Sequence, residues 1–138
     1  MASGLLVTAA RVIVTGSRRW PDPWAVWAAL ADAYSGLSAG DALTVAHGAH
    51  WDGADRHAHI WARRMAAPGG AVRVIPAPYP AHWKRLGLKA GPLRNRDMVA
   101  AGADLVLAFP LADSIGTYGC MEMATAAGIP VLNYGVAC

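Results

Sequence analysis

The residues best suited to chemistry gather in four stretches: GSRRW at 16–20, HGAHWDGAD at 47–55, GPLRNRDM at 91–98 and SIGTYG at 114–119. The first follows the uncharged run VIVT with Gly16, Ser17, Arg18 and Arg19. That order gives a backbone that can turn or be closely approached, then a hydroxyl, then two planar donor forks. In the last stretch Ser114, Gly116 and Thr117 precede a helical segment, and the unpaired N–H groups of a helix start attract anions. The third supplies Arg94, Asn95 and Arg96, two guanidinium groups and an amide suited to bidentate recognition of phosphate or carboxylate. The shared chemistry is anion binding. Neither GxGxxG nor a Walker loop with its Gly-Lys-Ser/Thr ending is present, which disfavours a standard dinucleotide dehydrogenase or a P-loop NTPase.

The second stretch and its continuation hold His47, His50, Asp52, Asp55, His57 and His59, dense enough to suggest a metal site. His47 ends a strand, His57 and His59 leave a helix on different faces, and HExxH is absent, so these histidines are not expected to converge. No metal site and no required cofactor are expected. Asp55 reads as a polar group near a helix start, favourable for the dipole and aimed at a ribose or a neighbouring backbone. His47 and His50 suit acid/base work, hydrogen-bond donation or a purely structural role. If the chain is an enzyme, Asp55, Asp113 or Glu122 would stabilise an oxocarbenium-like centre while a histidine assists the leaving base.

The elements that must position these groups follow from periodicity and breakers. Short apolar runs bounded by Gly or Pro read as buried strands, at residues 12–15, 42–47, 71–77, 103–109 and 129–134. Helical spacing places helices at 24–34, 53–67, 92–101 and 117–127. In the first of these, Trp24, Trp27, Leu30 and Tyr34 form the expected packing face, with Asp22 as cap and Pro23 in the first turn. In the second the face is Ala54, Ala58, Trp61, Ala62 and Met65. Strands alternating with helices mean an α/β fold, a Rossmann-like doubly wound three-layer sandwich. Its mainly parallel five-stranded sheet has the expected order 3-2-1-4-5. Residues 1–138 form one domain, with 1–10 as a short N-terminal extension.

That topology brings four loops to the carboxyl edge of the sheet: 16–21, 48–52, 78–91 and 110–116. Ligands bind at this edge in open α/β sheets. Five of the twelve Lys and Arg residues lie in these loops, and Arg94 and Arg96 stand close by, whereas the opposite-edge loops SGLSAGD and APGGA carry none. The asymmetry reads as an electrostatic funnel, although solvated loops attract charge in any protein. Trp20, Trp51 and Trp83 lie in the same loops, where an indole could stack on a base or form a dimer contact. The net charge of +3 fits a small anion or nucleic acid equally.

Two cysteines, Cys120 and Cys138, show neither CxxC nor zinc spacing. A reducing, cytoplasmic setting is expected. The apolar patch at 5–7 lacks a basic n-region, so no signal peptide is expected, and no run is long enough to span a bilayer.

Taken together, GSRRW, HGAHWDGAD, HWKRLGLKAGPLRNRDM, ADLVLAFP and SIGTYG resemble the YspA-related branch of the SLOG superfamily in order and spacing, across residues 11–131. The resemblance implies a Rossmann-like domain that binds nucleotides or nucleotide-derived ligands such as NAD or ADP-ribose derivatives. Carried over by position, it assigns Gly16, Ser17, Arg18, Gly48, Asp55, Arg94, Asn95, Gly116 and Thr117 to the ligand site. Ser114 and Arg96 join them on the residue chemistry above. One related branch, the Lonely Guy proteins, hydrolyses the N-glycosidic bond of nucleoside monophosphates using PGGxGTxxE, with a Glu three residues after the Thr. Here that position is Cys120, and Glu122 comes two later, about 200° around a helix.

The expected function is therefore binding of a nucleotide-derived ligand, for sensing, sequestration or processing. The alternatives are an N-glycosidic hydrolase or transferase and a single-strand nucleic-acid binder. A homodimer or higher homo-oligomer is the expected assembly, with no membrane partner.

Overall fold

A computed structural model describes residues 9–135. The elements in chain order are β1 (Ala9–Gly16), α1 (Pro23–Ser35), β2 (Ala42–His47), α2 (Gly53–Met65), β3 (Arg73–Pro78), α3 (Trp83–Leu86), a 3-10 turn (Gly87–Lys89), α4 (Ala90–Ala100), β4 (Leu105–Phe109), α5 (Ile115–Ala126) and β5 (Val131–Asn133). The five strands form one sheet in the order β3-β2-β1-β4-β5, and every adjacent pair is parallel. The order and fold class expected from sequence are both found.

The core follows from the two faces of β1. Val12 and Val14 turn to one face and pack with Leu43, Val45, Leu107 and Phe109 beneath α1 and α2. Ile13 turns to the other and meets Met98, Val99, Cys120 and Ala124 beneath α4 and α5. Each such aliphatic side chain contributes roughly 1.5–3 kcal/mol by leaving water. The sheet is thus the middle of three layers.

Several boundaries differ from the sequence reading for local reasons. β1 begins at Ala9 because Ala9 and Ala10 pair with Ala42 and Leu43, which shortens the expected N-terminal extension. The long connection after β3 contains α3 and the 3-10 turn. α4 starts two residues before Pro92, since a first turn tolerates a residue without N–H. α5 begins at Ile115 rather than Thr117, and β5 is confined to Val131–Asn133. β3 includes Pro76 and Pro78, which is possible because it is an edge strand. Its inward donors are odd-numbered: Arg73 N–H bonds Asp41 O at 2.9 Å and Tyr79 N–H bonds His47 O at 2.8 Å.

α1 also departs from its expected packing face. Asp22 caps it, accepting from the Trp24 and Ala25 N–H groups, with Pro23 in the first turn. Its buried residues, however, are Val26, Ala29 and Leu30, while Trp24 is 72% exposed. Trp27 is half-buried and donates its indole N–H to His57 O at 2.9 Å. α2 buries Ala54, Ala58 and Ala62 as expected, and these small side chains let it lie close on the sheet. Among the described residues no helix is long and apolar enough to cross a membrane. Cys138 and the apolar patch at 5–7 lie outside the described residues.

Candidate functional site

The carboxyl ends of β1 and β4 lie side by side, with Gly16 opposite Phe109, where the chain crosses from one half of the sheet to the other. A cleft of about 990 Å³ opens there. It is lined by residues from all four loops anticipated at this edge and by the first turns of α4 and α5. Of the expected ligand residues, Gly16, Ser17, Arg18, Gly48, Asp55, Arg94, Asn95, Ser114, Gly116 and Thr117 all line it.

Arg96 does not. It stands exposed on another face of α4, where its guanidinium meets Asp97 at 3.5 Å, and it borders a separate hollow between α4 and α5. Two residues past Arg94, it is rotated by about 200° around the helix. Sequence proximity placed it at the site; helical geometry removes it.

On the β1 side the glycine serves packing. A methyl on Gly16 would lie 2.6 Å from the Ala54 side chain and 2.9 Å from that of Phe109, so the close approach is by α2 and β4. Ser17 is buried; its N–H donates to Phe109 O at 3.0 Å and its carbonyl accepts from Ala54 N–H at 3.1 Å. Its Oγ accepts from Arg19 N–H at 3.0 Å, which leaves the hydroxyl hydrogen available to a ligand. Arg18 is exposed, with its guanidinium 5.3 Å from the centre of the Trp83 indole. Arg19 instead pairs with Asp113 across the mouth, both side chains about two-thirds exposed. A pair so solvated is worth little by itself.

On the α5 side no side chain caps the helix. Ser114 Oγ accepts from Leu111 N–H at 2.9 Å and so turns back into its own loop. Among the described residues no acceptor meets the N–H groups of Gly116 or Thr117. A Cβ on Gly116 would meet nothing within 4 Å, so the space in front of this turn is open. Thr117 is buried at its edge.

Arg94 and Asn95 tie the two sides together. Arg94 Nη1 donates to Gly48 O and, at 3.3 Å, to Tyr79 O, while Nε donates to Asn95 Oδ1 at 2.6 Å. Only Nη2 is left without a partner among the described residues, so one edge of the guanidinium serves the scaffold and one corner faces the cleft. Asn95 is buried and donates Nδ2 to Gly116 O at 3.3 Å. Gly48 fits between Arg94 and Asp55: a Cβ there would sit 2.3 Å from Arg94 Nη1 and 2.8 Å from Asp55 Oδ2.

Asp55 is buried and its carboxylate accepts from His50 N–H at 3.2 Å. Of its two expected targets, the neighbouring backbone is the one it meets. Burial pushes its carboxyl above the usual range, against the backbone donors of His50 and Gly48 and the nearby Arg94 charge. The same burial lowers the Arg94 guanidinium from its ordinary value. Ala49, between these groups, has φ 58, a left-handed backbone uncommon for a residue with a Cβ. Its N–H is held by His47 Nδ1 at 2.9 Å.

The histidines depart from expectation. His47 Nε2 and His59 Nδ1 lie 3.0 Å apart, so two of the set converge where none was expected to. His57 turns instead to Trp20 O at 3.1 Å. Because His47 Nδ1 accepts from Ala49, its Nε2 must carry the proton and donate to His59. Burial first, then His59 and Arg94, hold the His47 pKa down to about 4. Among the described residues no three His, Cys, Asp or Glu side chains converge to hold a metal ion. His50 lines the cleft and stacks on Trp51, with ring centres 5.5 Å apart.

Of the remaining acid/base candidates, Asp113 lines the cleft but is paired with Arg19. Glu122 is exposed and is not among the residues that line the cleft. Cys120, at the position of the hydrolase glutamate, is fully buried beneath Thr15, and burial raises its thiol pKa. Trp20 is buried against Phe109 and supports the floor, whereas Trp51 and Trp83 stay exposed at the mouth. Sequence reasoning overlooked Leu88 and Ile115, which line the same mouth at 92% and 85% exposure. No chemical signal marks an aliphatic residue as a rim.

The chain is 50% identical over 125 residues to the Gene 61 protein of Mycobacterium phage D29, covering 91% of this chain and 96% of that protein. Two crystal structures of the C-terminal domain of a Pyrococcus furiosus hydrogenase share 15% identity and a TM-score of 0.46 with it. One alignment covers 90% of this chain and 89% of that domain, the other 97% and 98%. A family model matches residues 10–85, the span from β1 through α3 that includes the Ser17, Gly48 and Asp55 side of the cleft. The chain belongs to the YspA, cpYpsA-related SLOG family.

Proposed function

We propose that this protein binds a nucleotide-derived ligand of the NAD or ADP-ribose type in the carboxyl-edge cleft, with phosphate on its floor. The observation that carries the reading is the convergence of unused donors. The open first turn of α5, the Ser17 hydroxyl and Arg18 guanidinium of the β1–α1 loop, and Arg94 Nη2 on α4 come from three separate segments and line one cleft. Donors brought together from separate segments and left unpaired suit an anion with several oxygens. The volume of about 990 Å³ suits a nucleotide better than free phosphate. Family membership points to the same ligand class.

Binding is better supported than hydrolysis. Among the described residues the carboxylates that line the cleft are Asp55, held by backbone N–H, and Asp113, paired with Arg19 at the exposed mouth, and neither is an unpartnered group poised for an oxocarbenium-like centre. The test is mass spectrometry of small molecules that co-purify with the native protein, followed by calorimetry with ADP-ribose and NAD. Arg18→Ala should weaken binding about 10- to 100-fold, the worth of a charge-assisted hydrogen bond, with an unchanged melting temperature. Unchanged affinity would overturn the assignment of Arg18, and release of free base on incubation would restore the hydrolase.

A further inference from the structure

The cleft is not uniform in polarity. Its floor is Ser17, Gly48, Asn95, Gly116 and Thr117, yet its mouth exposes four large apolar side chains: Trp51, Trp83, Leu88 and Ile115. Single exposed hydrophobics are ordinary on any surface, but four around one opening form a patch, and such patches mark contact sites. A ligand that was all phosphate and sugar would leave that patch unused.

Trp83 is the best-prepared member. One side of its indole lies against Gly91, where a Cβ would come within 3.0 Å of the ring. Over a ring face stands the Arg18 guanidinium, 5.3 Å from the ring centre. Arg18 forms no ion pair among the described residues, whereas its neighbour Arg19 has Asp113. An unpaired cation resting on an indole is held weakly, by about 0.5–1 kcal/mol at an exposed site. A phosphate on the floor of the same cleft competes with that contact and wins, because charge-assisted hydrogen bonds are stronger. Withdrawal of Arg18 uncovers a flat aromatic face at the mouth.

Resting on the nucleotide reading above, we propose that Trp83 is the platform for the ligand's base. Arg18 covers the platform in the unliganded protein and leaves it when a phosphate arrives. The ligand class is a nucleoside diphosphate or a larger molecule that contains one, with the diphosphate at the floor and the base on Trp83. The order of contacts is phosphate first, base second.

Calorimetry with two probes tests this: ADP, the part shared by NAD and ADP-ribose, and inorganic pyrophosphate, which has no base. The unaltered protein should bind ADP more tightly than pyrophosphate. Trp83→Ala should weaken ADP roughly 10- to 100-fold, the usual worth of a base on an aromatic ring, and leave pyrophosphate unchanged. Trp83→Phe, which keeps a ring against Gly91, should recover most of the ADP affinity. Equal loss for both probes would overturn the platform, since Trp83 would then merely position Arg18. No preference for ADP in the unaltered protein would overturn it too, while leaving the phosphate floor standing. Failure of that protein to bind either probe would sink the nucleotide reading itself. Oligothymidylate binding far tighter than ADP, with steep salt dependence, would replace the mononucleotide by a strand.

Discussion

α2 and α5 both begin at the carboxyl edge of the sheet, on either side of the cleft, yet one start is closed and the other open. At α2, Asp52 accepts from Gly53 N–H at 2.8 Å and the Ser17 carbonyl accepts from Ala54 N–H at 3.1 Å. Gly53 has φ +72, and a Cβ on it would fall 2.2 Å from Ser17 O. At α5 the cap residue Ser114 bonds Leu111 instead, and among the described residues no acceptor meets the Gly116 and Thr117 N–H groups. The dipole of a helix start is common to both. What decides its use is where the preceding side chain sends its oxygen. One start is a structural joint, the other keeps its donors free for the anion proposed above.

The sharpest way to break this contrast is to add one methyl to each start. Gly53→Ala must adopt a left-handed backbone and displace Ser17, which should cost roughly 2–4 kcal/mol. Gly116→Ala meets nothing and should change stability by less than about 0.5 kcal/mol, while narrowing the approach to the proposed phosphate position. Urea unfolding of both variants measures the first effect, and ligand calorimetry of Gly116→Ala the second. Equal stabilities for the two variants would mean that α2 is not the closed joint described.

Next in size is a pH effect on the β2–α2 loop. His47 in the fold titrates near 4, against about 6.5 when unfolded. The unfolded chain therefore takes up the proton first. The stabilisation from neutral His47 is complete above about pH 6.5, falls as the pH drops towards 4, and is gone below it, a change of roughly 3 kcal/mol. Asp55, whose pKa is raised, has the opposite sign: its contribution is present at low pH and fades as the pH rises. Comparing the chain with His47→Gln between pH 4 and 7 separates them, since Asp55 is common to both. A parallel pair of stability curves would show that His47 is not the titrating group.

A further effect concerns the link between α4 and the start of α5. Asn95→Ala removes the bond to Gly116 O and strips Arg94 Nε of its acceptor. A loss of about 1–3 kcal/mol in unfolding free energy is expected, with slower hydrogen exchange at α5 becoming faster. Protection that stays unchanged at α5 would show its start to be independent of α4.

Much of this was legible in the residues. Apolar runs ended by Gly or Pro marked the strands, alternation with helices gave the sheet order, and the loops they implied are the ones that line the cleft. Side-chain direction was not legible to the same degree. Arg94 and Arg96 look equivalent in the sequence, but one helix sends them to different places. His47 and His59 meet because β2 and α2 pack against each other, a relation no single helical face reveals. Trp24 shares the spacing of a packing face and yet stays in solvent, because Val26, Ala29 and Leu30 already fill the interface that α1 presents.

The prolines of β3 bear on how copies of this chain can meet. Since the odd-numbered residues of β3 donate inward to β2, positions 74, 76 and 78 face outward, and two of the three are proline. An incoming strand would find a single donor, the Val74 N–H, where a ladder needs a row of them. That flank of the sheet offers few backbone donors for extension, which disfavours strand-to-strand pairing there. Assembly through this flank must use side chains rather than shared backbone.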